Sequence, residues 1–268
     1  MKKIWVIGSA MLVVILTLYL AVMHFPKEDK REQELSFSDE EMKNTIINAA
    51  VQYEIVENKE DFRSEHLDSI VDLNIGYIGY YSSLEDLKLC KKLDTLYIGI
   101  PNAKGGNKYY NYWCMKPKQE SRERISQLER GLGELLEESP QLGALYINND
   151  DGTCEFNSLD FLQYGGNLRS LWLWEQKELD YSPIYNCKNL KILDLSASDI
   201  TNLDGIANLE KLEYLCIQET NISEAGDIVK LKNLKHIEVY GTPLAENEDE
   251  IAIIYEAIPG IRIDFDRG

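Results

Sequence analysis

Histidine is scarce in this chain: His24, His66 and His236 are the only 3 in 268 residues, and no recognisable spacing pairs one with a Cys or Ser. Acid–base and nucleophilic catalysis need such convergent groups, so an enzyme is not expected and no cofactor is called for. Neither a Gly-rich phosphate loop nor a metal-ligand motif occurs. The 5 cysteines, Cys90, Cys114, Cys154, Cys187 and Cys216, never fall in C-x-x-C spacing, which removes zinc and thiol-redox motifs. Their odd number leaves one unpaired. Cys114 and Cys154 sit in irregular segments that suit either a disulfide or two free thiols. Positive charge is also short: 28 Lys and Arg stand against 46 Asp and Glu, a formal net charge of −18. Phosphate backbones demand a basic surface, so nucleic acid is excluded as a partner.

Long apolar runs are absent after residue 25, but one precedes it. Lys2 and Lys3 lead into Ile4 to Met23, which carries no charged side chain. At about 1.5 Å per helical residue this run reaches roughly 30 Å, the thickness of a bilayer core. It ends Tyr19-Leu20-Ala21-Val22-Met23-His24-Phe25-Pro26, without an A-x-A-like cleavage site and with no lipobox-type Cys behind it. Residues 1–25 therefore read as one N-terminal transmembrane helix, a single-pass anchor in the cell membrane. The alternative is a signal peptide cut at a poor site, which would make the chain secreted. Either way the rest is expected to be extracytoplasmic. Lys27, Lys30 and Arg31 offset the orienting bias of Lys2 and Lys3. Residues 26–37, polar and charged, read as a tether.

Self-similarity decides the fold. Leu190-x-x-Leu193-x-Leu195, Leu212-x-x-Leu215-x-Ile217 and Leu234-x-x-Ile237-x-Val239 start 22 residues apart, and Ile200, Leu203, Ile206 and Leu209 match Ile222, Ala225, Ile228 and Leu231. The same heads recur at Leu168, Leu142, Leu93 and Ile70, making seven. In such a head alternate residues point inward from a short strand, and the later apolar positions seal a helical or irregular return. One coil cannot bury its own core. Stacking adds a parallel strand about 4.8 Å further along, so the expected fold is an α/β solenoid of about seven coils over 67–245, with a sheet on its concave side.

The 49 residues from Leu93 to Leu142 exceed one unit by 27, which places an aromatic, locally basic insertion at 101–120, bearing Lys104, Lys108, Tyr109, Tyr110, Tyr112 and Trp113. After it, Ile125, Leu128, Leu132 and Leu135 recur at three and four, so that return is expected to be a helix ending before Pro140. Both ends read as caps. Residues 38–66 open on Ser38-Asp39-Glu40-Glu41, an N-cap, followed by an apolar stripe of Met42, Ile46, Ile47, Ala50 and Val51. Residues 246–268 place Ile251, Ile254, Tyr255 and Ile258 on one helix face from Glu246 to Ile258, then alternate as Ile261-x-Ile263-x-Phe265, a final edge strand.

With its 22-residue unit and small helical cap, the chain resembles the internalin-type leucine-rich repeat proteins of bacterial cell surfaces over roughly residues 38–244. The likeness is carried by Leu190-x-x-Leu193-x-Leu195-x-x-Ser198-x-Ile200-x-x-Leu203-x-x-Ile206-x-x-Leu209 and by Phe37-Ser38-Asp39-Glu40-Glu41-Met42. Where that family's unit commonly has Asn, this chain has Ser198, Thr220 and Thr242, whose hydroxyls can still bond neighbouring backbone. The resemblance implies a bacterial surface protein that binds a partner. The Asp266-Arg267-Gly268 end shows no wall-sorting motif.

Residues between the inward leucines face solvent, and they fall in columns. One reads Asn74, Tyr97, Tyr146, Trp172, Asp194, Cys216 and Glu238; the next reads Gly76, Gly99, Asn148, Trp174, Ser196, Gln218 and Tyr240. Large aromatics with a polar tip dominate protein interfaces and also stack on sugars. The expected ligand-binding residues are Tyr97, Tyr146, Trp172, Trp174, Tyr214 and Tyr240, with a protein as partner. A glycan, or a structural role within a membrane complex, remains the alternative, and the bland reading is that these rings only cover the sheet. Asp194 and Glu238 are expected to be solvated surface charge. Cys90 and Cys187 should fill the core, and Cys216 should face the open side without a base beside it.

Overall fold

The computed structural model describes residues 35–99, 122–149 and 156–266. The anchor segment Ile4 to Met23, most of the tether, the 101–120 insertion and both Cys114 and Cys154 lie outside the described residues. Among the described residues no helix is long and apolar enough to cross a membrane.

Every head becomes a strand. β1 (Asp72–Asn74), β2 (Thr95–Ile98), β3 (Ala144–Asn148), β4 (Ser170–Trp174), β5 (Ile192–Asp194), β6 (Tyr214–Cys216) and β7 (His236–Glu238) are joined by β8 (Arg262–Asp264) in one sheet that follows chain order. All seven pairings are parallel and align the second apolar residue of each head: Leu73, Leu96, Leu145, Leu171, Leu193, Leu215, Ile237 and Ile263. The first seven of these are fully buried. This is the parallel stack of a leucine-rich repeat solenoid, in which each coil covers the core of the last.

A second 22-residue period appears where the chain leaves each strand. Glu175, Ala197, Glu219 and Gly241 all take positive φ, 54° to 70°, which turns the chain sharply into its return. The backbone N–H of the first three donates to Ser196, Gln218 and Tyr240 of the following coil, at 3.0, 2.9 and 2.8 Å, extending the ladder past the strands. One residue further stand the hydroxyl positions. Ser198 Oγ donates to Leu173 O at 3.1 Å, and Thr220 and Thr242 donate to Ile217 O and Val239 O, both at 2.7 Å. All three are buried.

Most returns are short 3-10 turns that insert one apolar residue into the core, as with Leu87, Ile184, Ile206 and Ile228, all fully buried. The return after the insertion is a true α-helix, α2 (Arg122–Glu138), and Ile125, Leu128, Leu132 and Leu135 form its buried stripe.

At the N-terminal end lies α1 (Glu40–Gln52), capped by Asp39, whose carboxylate accepts Met42 N–H at 2.8 Å. The same carboxylate accepts Ser82 N–H at 2.5 Å, while Asp86 reciprocates by accepting Ser38 N–H and Asp39 N–H at 2.8 Å. This exchange fastens the cap to the return of the first coil. Its buried stripe is Met42, Ile46, Ala49 and Ala50; Ile47 and Val51, expected inside, are only half-buried. At the other end α3 (Glu248–Ala257) starts two residues later than expected, because Thr242 caps a separate 3-10 turn over Pro243–Glu246. Tyr255 is 46% exposed and Phe265 42% exposed, against the sequence reading. The core at this end is filled by Ile251, Ile254, Ile258, Ile261 and Ile263 instead.

Candidate binding face of the sheet

The parallel register turns the expected column into a physical row. Tyr97 pairs with Tyr146 and Tyr146 with Trp172 on successive strands. Their rings touch: Tyr97 and Tyr146 stack with centroids 4.6 Å apart and planes 22° apart, and Tyr146 meets Trp172 at 5.1 Å and 47°. Tyr146 therefore has an aromatic ring on both sides. Trp174 stands two residues along β4 from Trp172, in register with Asn148. An open cavity of about 350 Å³ adjoins Tyr97 and is lined by Tyr53, Ile55, Ser69, Val71, Asp72 and Asn74. Burial, then the neighbouring Tyr146 and Asp72, push the Tyr97 hydroxyl's pKa up, so it remains a neutral donor. Trp172 Nε1 and Ser170 Oγ are buried with no hydrogen-bond partner among the described residues.

Tyr214 and Tyr240 do not join this row. Tyr214 donates to Glu238 Oε1 at 2.6 Å and meets the His236 ring edge-on at 5.0 Å. Tyr240, half-buried, stands three strands beyond Trp174 in the next column. The six expected residues thus divide into an aromatic row on β2–β4 and two separate tyrosines towards the C-terminal end.

From β5 onwards the same column turns acidic. Asp194 follows Trp172 in register, then Cys216, Glu238 and Asp264. Asp194 is not solvated, as had been expected: it is 7% exposed, and its Oδ1 accepts Ser196 N–H at 2.8 Å and Ser196 O–H at 2.5 Å. Burial raises its pKa, the bonds from Ser196 oppose this, and the charge of Glu238 adds to the rise. Cys216 occupies the expected column but is buried, with Ser196 Oγ at 3.0 Å and Glu238 Oε2 at 3.7 Å. Burial first, and then Asp194, drive its thiol's pKa well up. It is a packed thiol and no nucleophile. Cys90 and Cys187, in the core, are pushed to about 12 by burial.

Glu238 also accepts from Gln218 Nε2. Beside it, His236 Nε2 lies 2.9 Å from Asp264 Oδ2 and 3.9 Å from Glu238 Oε1, and the donor atoms of these three residues fall within 4.8 Å of one another. The set could hold a cation, although Arg262 already occupies Asp264, at 2.6 Å. The sequence reading missed this cluster. Its signal was the eighth strand: carrying the columns one coil further brings Asp264 beside Glu238 and Arg262 beside His236.

No family model and no curated protein sequence matches the chain. Solved structures do. An internalin (inlF) from Listeria monocytogenes str. 4b F2365 superposes with a TM-score of 0.54 at 19% identity, over 86% of this chain. The fold is an internalin-type leucine-rich repeat. The chain spans 63% of that internalin's length. A second internalin-type neighbour from the same strain, internalin C2 (inlC2), is 18% identical with a TM-score of 0.47 over 74% of this chain and 84% of that one. TLR13, solved as a complex with ssRNA13, is 15% identical with a TM-score of 0.51 over 77% of this chain and 27% of its own.

Proposed function

We propose that this chain is a membrane-anchored, extracytoplasmic leucine-rich repeat protein that binds another protein through the open face of its sheet. One observation carries the reading: Tyr97, Tyr146 and Trp172 form an unbroken row of touching rings across three strands, with Trp174 beside it. Packed aromatic patches of this kind supply most of the binding energy of protein interfaces. Tyr146 is flanked by rings on both sides, so a sugar could stack only on the outer rings of the row or on Trp174. The internalin-type fold agrees with a binding role without naming the partner. Anchoring rests on the apolar length of Ile4 to Met23.

The test is capture of partners from surface extract by the full chain, beside a Trp172→Ala, Trp174→Ala double variant and in the presence of free oligosaccharide. A protein retained by the wild type, lost by the variant and indifferent to sugar supports the reading. Unchanged capture by the variant contradicts it. External protease added to intact cells should digest the repeats; full protection would contradict the location.

A further inference from the structure

We propose that the face takes a cationic side chain, Lys or Arg, from its protein partner, seated against the Trp172 indole and beside the carboxylates of Asp194 and Glu238. This rests on reading the face as a protein-binding surface and names the chemistry of what binds there.

Asp194 is a buried carboxylate without an ion-pair partner among the described residues. Four carboxylates elsewhere on the solenoid have a counter-ion, Asp94 with Arg169 at 2.5 Å, Glu213 with Lys191 at 3.5 Å, Glu138 with Lys88 at 2.9 Å and Asp264 with Arg262 at 2.6 Å, whereas the buried Asp39 and Asp86 are held by hydrogen bonds at the N-terminal cap. Among the described residues Asp194 forms no ion pair with a Lys or Arg, and Glu238 forms none either, although it feels the charge of Arg262 and lies 3.9 Å from His236. Yet Asp194 is 93% buried (7% exposed), and Glu238 is close enough to raise its pKa through their mutual repulsion. Burying a carboxylate without a counter-charge is costly, and an arriving cation relieves both desolvation and repulsion.

Trp172 explains where that cation sits. Its Tyr146 side is filled by a ring, while its β5 side faces Asp194, one strand away and so about 4.8 Å along the sheet. An ammonium or guanidinium within about 6 Å of an indole centroid is attracted to its face, and there it also reaches the carboxylate. The stacked row running on to Tyr97 offers apolar contact to residues flanking the cation, which a lone metal ion could not use.

Calorimetry on the full chain tests this with three probes: a dodecapeptide carrying Arg at every third position among Gly, Ser and Leu, its Glu counterpart, and ZnCl2 alone. The Arg peptide is expected to bind and the Glu peptide not. Asp194→Asn and Glu238→Gln, which keep acceptor oxygens for Ser196 and Tyr214, should each weaken binding about tenfold or more, as should Trp172→Ala. Glu123→Gln, Glu137→Gln, an equal or larger loss of charge on exposed positions of α2, should leave it within about twofold. Equal weakening by that control pair would reduce binding to bulk attraction and overturn the proposal. So would Zn²⁺ displacing the peptide through Glu238, or peptide binding that appears only once Lys104 and Lys108 are changed to Gln, since the seat would then belong to a metal or to the chain's own insertion. A natural partner lost with Trp172→Ala, Trp174→Ala but retained by Asp194→Asn, Glu238→Gln overturns the cation seat alone; a partner retained by both sets overturns the face itself.

Discussion

Removing the middle ring of the aromatic row should cost more than removing either end, and the cost should be pairwise. Tyr146→Ala deletes two ring contacts, at 4.6 and 5.1 Å. Each such pair contributes about 0.5–1.5 kcal/mol beyond simple burial, so the two together supply about 1–3 kcal/mol. With the lost contact of a half-buried ring, the total is expected at about 2–4 kcal/mol. Tyr146→Phe keeps both contacts and should stay within about 0.5 kcal/mol of wild type. Double-mutant cycles by urea unfolding, followed by far-ultraviolet circular dichroism, separate the terms. Tyr97 with Tyr146, and Tyr146 with Trp172, should each couple by about 0.5–1.5 kcal/mol. Tyr97 with Trp172, two strands and about 10 Å apart, should be additive within about 0.5 kcal/mol. Strong coupling across that gap, or none between stacked neighbours, would refute the row as a chain of direct contacts.

Three other substitutions follow from the structure. Gly99 has φ +88° and a Cβ there would lie 1.9 Å from the backbone oxygen of Asn148, so Gly99→Ala should destabilise by about 2 kcal/mol or more in the same urea assay. Asp39→Ala removes an N-cap and the bonds from Ser82, and should cost about 2 kcal/mol at pH 7. Burial alone would raise the Asp39 pKa, but the bonds from Ser82, Met42 and Ser83 outweigh it and leave it lowered. Its contribution is thus present above the ordinary carboxylate pKa of 3.8 and fades as pH falls through the lower folded value, where wild type and variant should converge. Asp194 has the opposite sign: with its folded pKa raised above 3.8, the folded state binds the proton more tightly, and stability falls as pH rises through that folded value. Asp194→Asn should therefore melt above wild type at pH 7, and the gain should vanish on acidification to below 3.8; a variant that melts lower at pH 7 would contradict the missing-cation argument.

What could be read from the sequence was whatever repeats. The inward leucines recur at 22 residues because each coil must seal the one before it, and the strand period of two then places Tyr97, Tyr146 and Trp172 in one row. Local spacing also sufficed for α2, whose stripe lies within a single helix. The burial of Asp194 was not legible, since it arises from Ser196, just past the end of its strand, together with Cys216 and Glu238 from later coils. Nor was the exposure of Tyr255, which shares α3 with the buried Ile251 and Ile254. The polar cluster of His236, Glu238 and Asp264 depends on a register between two coils, one of which does not begin with the repeat's Leu-x-x-Leu head.

The measurement closest to the central claim is site-specific photocross-linking on intact cells. A benzoylphenylalanine placed at Trp174, on the open face, is expected to trap a protein partner, while one at Glu137, on the exposed side of α2, is expected to trap none. Cross-links from Glu137 but not from Trp174 would contradict the account and move the binding surface to the returns.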